Sequence, residues 1–305
     1  MTLKMSISRN QVISLMVYVL MSVLLLCQPT LLAKEQDGLV KVTDNVYTMT
    51  SPNSFWSNSG VIIGNEGIVV IDSRISAKEA RRLIKDIRAI SDKPIKYVIN
   101  THCHLDHAFG NGEFAKLGAT IISSTIEKGN MPKVSMESAY KFFGVPEEET
   151  IGTTLAYPNL TFSDKMEIDM GNQKLELIYP GPSHTTGSIL IYLPDPKILF
   201  TGDTFLNGSI PFMGDGNIPG WINTLEFIKG MDVEKVVPGH GTLSSKQDVS
   251  DLKDYMVLFD QKARELCASS SDLEYIVAEM KKVLPYKKGE DFIRTNIKLQ
   301  YLKKD

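Results

Sequence analysis

The chain has 305 residues, 43% of them hydrophobic and 23% charged, with a formal net charge of −3 at pH 7. That length suits one domain, or one domain with a small addition, and the apolar content is ample for a buried core. The acidic balance argues against nucleic acid as a partner, and three cysteines are too few for a disulfide framework.

In chain order, Lys4 and Arg9 precede an apolar run over residues 12–26, which Cys27, Gln28, Pro29 and Thr30 break before small Ala33. Residues 1–33 read as a secretory signal peptide, so a periplasmic or secreted protein is expected. The run is shorter than the roughly 20 apolar residues of a membrane span, so no stable span is expected once the signal is removed. Its loss takes two positive charges and moves the balance from −3 to about −5. Cys103 and Cys267 then remain, and both are expected to be free thiols.

Alternating apolar residues predict strands over 39–42, 46–50, 60–63 and 68–71, the last two joined by the turn Asn65-Glu66-Gly67. Ser76 caps a predicted helix over 77–90, with Ala80, Leu83, Ile84 and Ile87 on one face. The loop over 51–58 carries Phe55 and Trp56, which either border a substrate cleft or pack under the sheet edge. A strand over 95–100 then runs into Thr101-His102-Cys103-His104-Leu105-Asp106-His107.

Three imidazoles and a carboxylate within six residues are a ligand density that no ordinary loop needs. In extended backbone, side chains alternate sides, so His102 and His104 point one way and Cys103 the other. Asp106 and His107 fall where the chain turns toward a helix expected from Ala108, which aims them at a second ion. The spacing therefore predicts a two-metal site.

Beyond it, a helix over 110–117 and a strand over 119–123 are expected. Residues 124–159 lose strand periodicity and gather Met131, Met136, Tyr140, Phe142 and Phe143, which suits a lid over the site or an outer helical hairpin. Strands follow over 165–168, 174–179, 188–193, 198–201 and 233–237. At their ends stand His184, Asp203 and His240, which complete the histidine inventory of five. Each alone is ordinary turn chemistry; together with the histidine loop they form an ordered ligand set from several strand ends. The segment over 205–217 should pass the cleft, with Asn207 as a cleft candidate and Asp215 as a turn residue. A helix over 221–230 and three helical patterns over 247–267, 273–284 and 290–302 close the chain, the last part rich in lysine and read as a solvated face.

Asp72 in Val69-Val70-Ile71-Asp72-Ser73, the His102 to His107 loop, His184, Asp203 and His240 stand in the order of the metallo-β-lactamase superfamily, which the chain resembles from about Leu39 to Gly241. The resemblance implies an α/β fold: an αββα sandwich of two mixed β-sheets with helices on the outer faces and the site at one edge. It implies one metal held by His102, His104 and His184, a second by Asp106, His107 and His240, Asp203 bridging them, and Asp72 supporting the loop. The commonest true β-lactamases carry a cysteine in the second site, which this region lacks. The full His-x-His-x-Asp-His loop is similar instead to the glyoxalase II, lactonase, arylsulfatase and sulfur dioxygenase branches. In the glyoxalase II branch, basic groups of a C-terminal helical part hold the substrate's carboxylates.

The expectation is thus a signal peptide over 1–33, a catalytic domain over 34–243 and a helical extension over 244–305. The activity expected is that of a zinc hydrolase with two Zn2+ ions, cleaving an ester, thioester, lactone or lactam of a small molecule through a bridging hydroxide, with Asp106 and Asp203 orienting it. The alternatives are a sulfur-dioxygenase-like enzyme with one Fe2+ and a periplasmic accessory protein of a quinoprotein system.

Overall fold

A computed structural model of the protein describes residues 38–50, 56–131 and 135–302. Phe55 and the predicted signal peptide lie outside the described residues.

The first sheet contains β1 (Gly38–Lys41), β2 (Val46–Thr50), β3 (Ser59–Gly64), β4 (Gly67–Ile71), β5 (Ile95–Ile99), β6 (Thr120–Ser124) and β7 (Leu160–Phe162), in that spatial order. The β1 to β4 part is antiparallel, and β4, β5, β6 and β7 run parallel to one another. The second sheet contains β8 (Lys165–Asp169), β9 (Lys174–Ile178), β10 (Leu190–Leu193), β11 (Ile198–Phe200) and β12 (Lys235–Val237), ordered β12-β11-β10-β9-β8, with β11 and β12 parallel.

Successive side chains of a strand face opposite ways, and this period sorts the core into layers. Ile62, Val69, Ile99 and Ile122 of the first sheet meet Leu177, Ile191, Phe200 and Val237 of the second. Their neighbours Val61, Val70, Val98 and Ile121 face outward to helix α1 (Ala77–Ile90), which inserts Ala80, Leu83 and Ile87. Burying each such Leu or Ile contributes about 1.5–3 kcal/mol. Ser76 caps α1 through its side chain, at the residue and with the span that the sequence predicts.

Between β5 and β6 lie α2 (Leu105–Ala108) and α3 (Asn111–Ala115). The next crossover holds α4 (Thr125–Asn130), α5 (Met136–Phe142) and α6 (Glu147–Thr150). After β11, α7 (Ile218–Gly230) leads to β12, and α8 (Lys246–Ser269), α9 (Leu273–Val283) and α10 (Asp291–Asn296) follow. The single helix expected over 290–302 is divided: α10 passes into a π-helical turn over Ile297–Tyr301. Leu252, Met256, Phe259 and Ile276 of these helices share one core with Leu190, Leu199 and Val236 on the outer face of the second sheet. Among the described residues, no helix is long and apolar enough to cross a membrane.

Two expectations need correction. The helix expected from Ala108 begins at Leu105, because Leu105 buries at once against Ile75, Phe109 and Tyr140; Asp106 and His107 are therefore helical. Strand β7 went unread because its three residues show no apolar alternation: Leu160 is exposed and only Phe162 is buried.

Candidate metal centre

Strands β4, β5, β11 and β12 deliver Asp72, His102, Asp203 and His240 just past their C-terminal ends, and His184 comes from the loop between β9 and β10. Two groups result, His102 with His104, His184 and Asp203, and Asp106 with His107 and His240; within each, one ligand atom per residue lies within 4.8 Å of the others. Asp203 turns one oxygen to each group. Its Oδ2 is 3.5 Å from His184 Nε2 and 4.0 Å from His102 Nε2, while Oδ1 is 3.1 Å from His107 Nε2 and 3.4 Å from His240 Nε2. Asp106 Oδ2 approaches His240 Nε2 at 3.0 Å.

Hydrogen bonds select the tautomers. Asp72 accepts from Thr101 N–H at 2.8 Å, from Thr101 Oγ1 at 2.7 Å and from His107 Nδ1–H at 2.7 Å. Because the Thr101 hydroxyl proton goes to Asp72, its oxygen accepts from His102 Nδ1–H at 3.0 Å. The Nε2 atoms of His102 and His107 therefore face the interior of the site, the pattern by which outer carboxylates orient metal-binding imidazoles. Asp72 adopts φ 58, a left-handed conformation that an aspartate tolerates at a cost of roughly 1–3 kcal/mol.

The donor set suits a divalent cation. His102 Nε2, His107 Nε2 and Asp203 Oδ1 are buried without hydrogen-bond partners, a state that buried polar atoms rarely sustain. His184 Nε2 and His104 Nδ1 lie 2.9 Å apart, close enough for both rings to offer a nitrogen to one ion.

Charge divides the two groups. Burial, then the neighbouring imidazoles, holds His102 well below its usual pKa, and burial holds His184 at about 3. Burial also pulls His240 down, but Asp203 and Asp106 outweigh it and set its pKa at about 10; the same contest raises His107. In the metal-free protein at neutral pH, His184 is thus neutral and His240 protonated. A divalent cation entering the second group must expel the His240 proton, whereas His102 and His184 are already neutral, so affinity at the second group should rise between pH 6 and pH 9 with a larger proton release than at the first. Calorimetric titration in two buffers of different ionisation enthalpy measures this; equal proton release from both groups would contradict it.

Several supporting residues went unread. Ser57 donates its hydroxyl to the Asp106 carbonyl, and Asn58 donates to the carbonyls of Pro238 and Gly241 at 3.0 and 2.9 Å, clamping the His240 loop. Gly239 is needed for space: a Cβ there would lie 2.0 Å from Asp203 Oδ1. Trp221 Nε1–H donates to Thr204 O at 2.7 Å and steadies the turn of Asp203. Asp215, expected as a turn residue, contacts His104 Nε2 at 3.1 Å. The only advance signal for these is proximity in sequence to a ligand, which Gly239 alone has.

A cavity of about 420 Å³ opens over both groups. His104, Asp106, His184, Asp203 and His240 face it, and Trp56, Phe143, Phe212 and Phe292 give it apolar walls, with Lys288 at its edge. The segment over 124–159 contributes the turn Phe143 to Pro146, and α5 packs beneath on Leu105 and Phe109. Asn207 is not among the lining residues; its amide donates to Ser244 Oγ at 2.8 Å and Thr242 Oγ1 at 3.3 Å. Cys103 packs with Ala108 and Met131, and burial, then Glu127, pushes its thiol well above its usual pKa, so it stays protonated.

An αββα sandwich with two His/Asp groups at one edge defines a metal-dependent enzyme. The metallo-beta-lactamase superfamily pattern matches residues 56–240, and the chain belongs to that superfamily, which places it among metal-dependent hydrolases. It is 25% identical over 225 residues to a linear primary-alkylsulfatase of a Pseudomonas species, covering 61% of this chain and 42% of that relative's length. It is 24% identical over 239 residues to a metallo-beta-lactamase type 2 of Elizabethkingia meningoseptica, covering 73% of this chain and 86% of that one. The solved metallo-beta-lactamase of Pontibacter korlensis shares the fold at TM-score 0.61 and 21% identity, over 72% of this chain and 99% of that one.

Proposed function

We propose that the chain is an exported binuclear zinc hydrolase that cleaves an ester, thioester, lactone or lactam bond in a small molecule with an apolar part. Asp203 carries this reading, with one oxygen on each ligand group at the floor of an apolar-walled cavity. His102, His104 and His184 would hold one ion and Asp106, His107 and His240 the other, with Asp203 available to both. When bound, two zinc ions supply Lewis acidity and bring the pKa of water from about 15.7 to near 7.

The chain's residues supply the rest. Asp106 and Asp203 accept hydrogen bonds and orient the attacking water, Asp72 fixes the His107 tautomer, and Trp56, Phe143 and Phe212 keep bulk solvent from the apolar part of the substrate. No protein nucleophile is required, in keeping with the protonated, buried Cys103. The departure from the cysteine-bearing β-lactamases stands, since neither Cys103 nor Cys267 joins the second group. Export is the role proposed for residues 1–33.

Turnover by the zinc-loaded chain of a panel of thioesters, lactones, carboxylic esters and β-lactams tests the reading. The alkylsulfatase likeness adds an alkyl sulfate to that panel. Hydrolysis of at least one class, abolished by a chelator and restored by zinc, is expected; turnover indifferent to the chelator, or none on any class, would contradict it.

Lys288 lines the cavity, makes no ion pair among the described residues, and is held through its backbone by hydrogen bonds with Gly208 and Ile210. Lys288→Ala should raise KM about fivefold for a substrate bearing a distal carboxylate, the roughly 1 kcal/mol of an exposed charge pair, and leave a neutral analogue unchanged. Equal KM changes for both would contradict that role.

A further inference from the structure

Glu127 is fully buried on α4, and no Lys, Arg or His pairs with it among the described residues. Its position is set from both sides. Ser124 caps α4 by accepting from Glu127 N–H at 3.1 Å, and Ser124 Oγ donates to Gly187 O at 2.7 Å. Glu127 Oε1 accepts from the hydroxyl of Thr185 and from Gly187 N–H at 2.9 Å, the loop that carries His184. Thr185 N–H and Oγ1 also meet Ser188 Oγ, so the loop closes on itself around the carboxylate. The fit is close: a Cβ on Gly187 would lie 2.8 Å from Glu127 Oε1.

The other oxygen, Oε2, is buried and has no hydrogen-bond partner. On the second loop Cys103, between His102 and His104, packs against Met131, the residue that ends the helix carrying Glu127. One buried carboxylate thus lies behind the two loops that supply the three imidazoles of the first group. Those imidazoles are neutral ligands, and the carboxylates beside them are the shared Asp203 and the exposed Asp215 on His104. A buried anion behind it both fixes the spacing of the loops and favours a cation between them, because Coulomb energy is large where water is excluded.

We propose that Glu127 is the positioning residue of the first metal group, fixing the His184 loop to the helix against which the His102–His104 loop packs and adding a buried negative charge to those of Asp203 and Asp215. The inference rests on the metal reading above. It predicts a loss confined to one of the two groups, which a general packing role would not produce.

Single-site backgrounds test it. His240→Ala leaves the first group, and His184→Ala leaves Asp106, His107 and the shared Asp203. Zinc affinity is read in each by chelator competition, with the melting temperature of the metal-free protein as control. Glu127→Gln keeps the shape and removes the charge; it should weaken zinc binding about 10–100-fold in the His240→Ala background and less than twofold in the His184→Ala background. Thr185→Val, which deletes one donor to the carboxylate, should give a smaller loss at the same group. Equal weakening in both backgrounds, or no change in the first, would overturn the inference while leaving the metal reading intact. A His240→Ala protein that holds no zinc would overturn that reading and the inference with it.

Discussion

Asp203→Ala should reduce bound zinc from two ions per chain to one or fewer and lower kcat/KM at least about 10³-fold. Among the described residues Asp203 is the one carboxylate that faces both groups, so its removal takes a ligand from each at once. Several kcal/mol of charge stabilisation leave with the ions, which at 1.36 kcal/mol per factor of ten accounts for that loss. In the metal-free protein Asp203 pairs with His107 and His240, so the deletion also costs folding stability, which the denaturant midpoint of the metal-free variant reads apart from the metal loss. Asp203→Asn should fall between the two, since its amide keeps one oxygen to bind a metal but cannot share charge between both groups. Elemental analysis beside turnover measures the effect; an Asp203→Ala protein with both ions and kcat/KM within tenfold of the parent would exclude a shared ligand.

Asp72→Ala should cost about 3–5 kcal/mol of folding stability and also weaken zinc binding. Asp72 is buried and takes three hydrogen bonds, from Thr101 twice and from His107. Removing it leaves the Thr101 N–H and the His107 Nδ1–H without partners in the interior, and frees both His107 and, through Thr101, His102 to turn. Burial and then the His107 charge contend over the Asp72 carboxyl, burial prevailing and raising its pKa. The denaturant midpoint of the metal-free protein separates the folding loss from the metal loss. An unchanged midpoint with unchanged zinc affinity would show that Asp72 supports neither.

Much of the centre was legible because its information is local. His102, His104, Asp106 and His107 sit within six residues, and the strand periods of Val69 to Ile71 and Ile198 to Phe200 place Asp72 and Asp203 at strand ends. Helix α1 was legible for the same reason, with its cap, apolar face and span all in one short stretch. The rest depends on contacts between segments far apart in the chain. Asn58 is 180 residues from the Pro238 carbonyl it holds, and Asp215 is 111 from His104, so no spacing announces either. Gly239 looks like turn chemistry in sequence, but it is there to admit Asp203. Asn207 misled because the chain near Asp203 was expected to face the cleft, whereas its amide is drawn to Thr242 and Ser244. The early start of α2 follows from the burial of Leu105, which becomes visible only once α5 lies against it.

The most direct test is the metal content of the chain purified without added metal, counted per chain by elemental analysis. Close to two zinc ions per chain is the predicted result, matching two ligand groups that share Asp203. A single iron with little zinc, or no bound metal, would contradict it, and iron would direct the search to oxygen uptake with thiol or persulfide substrates.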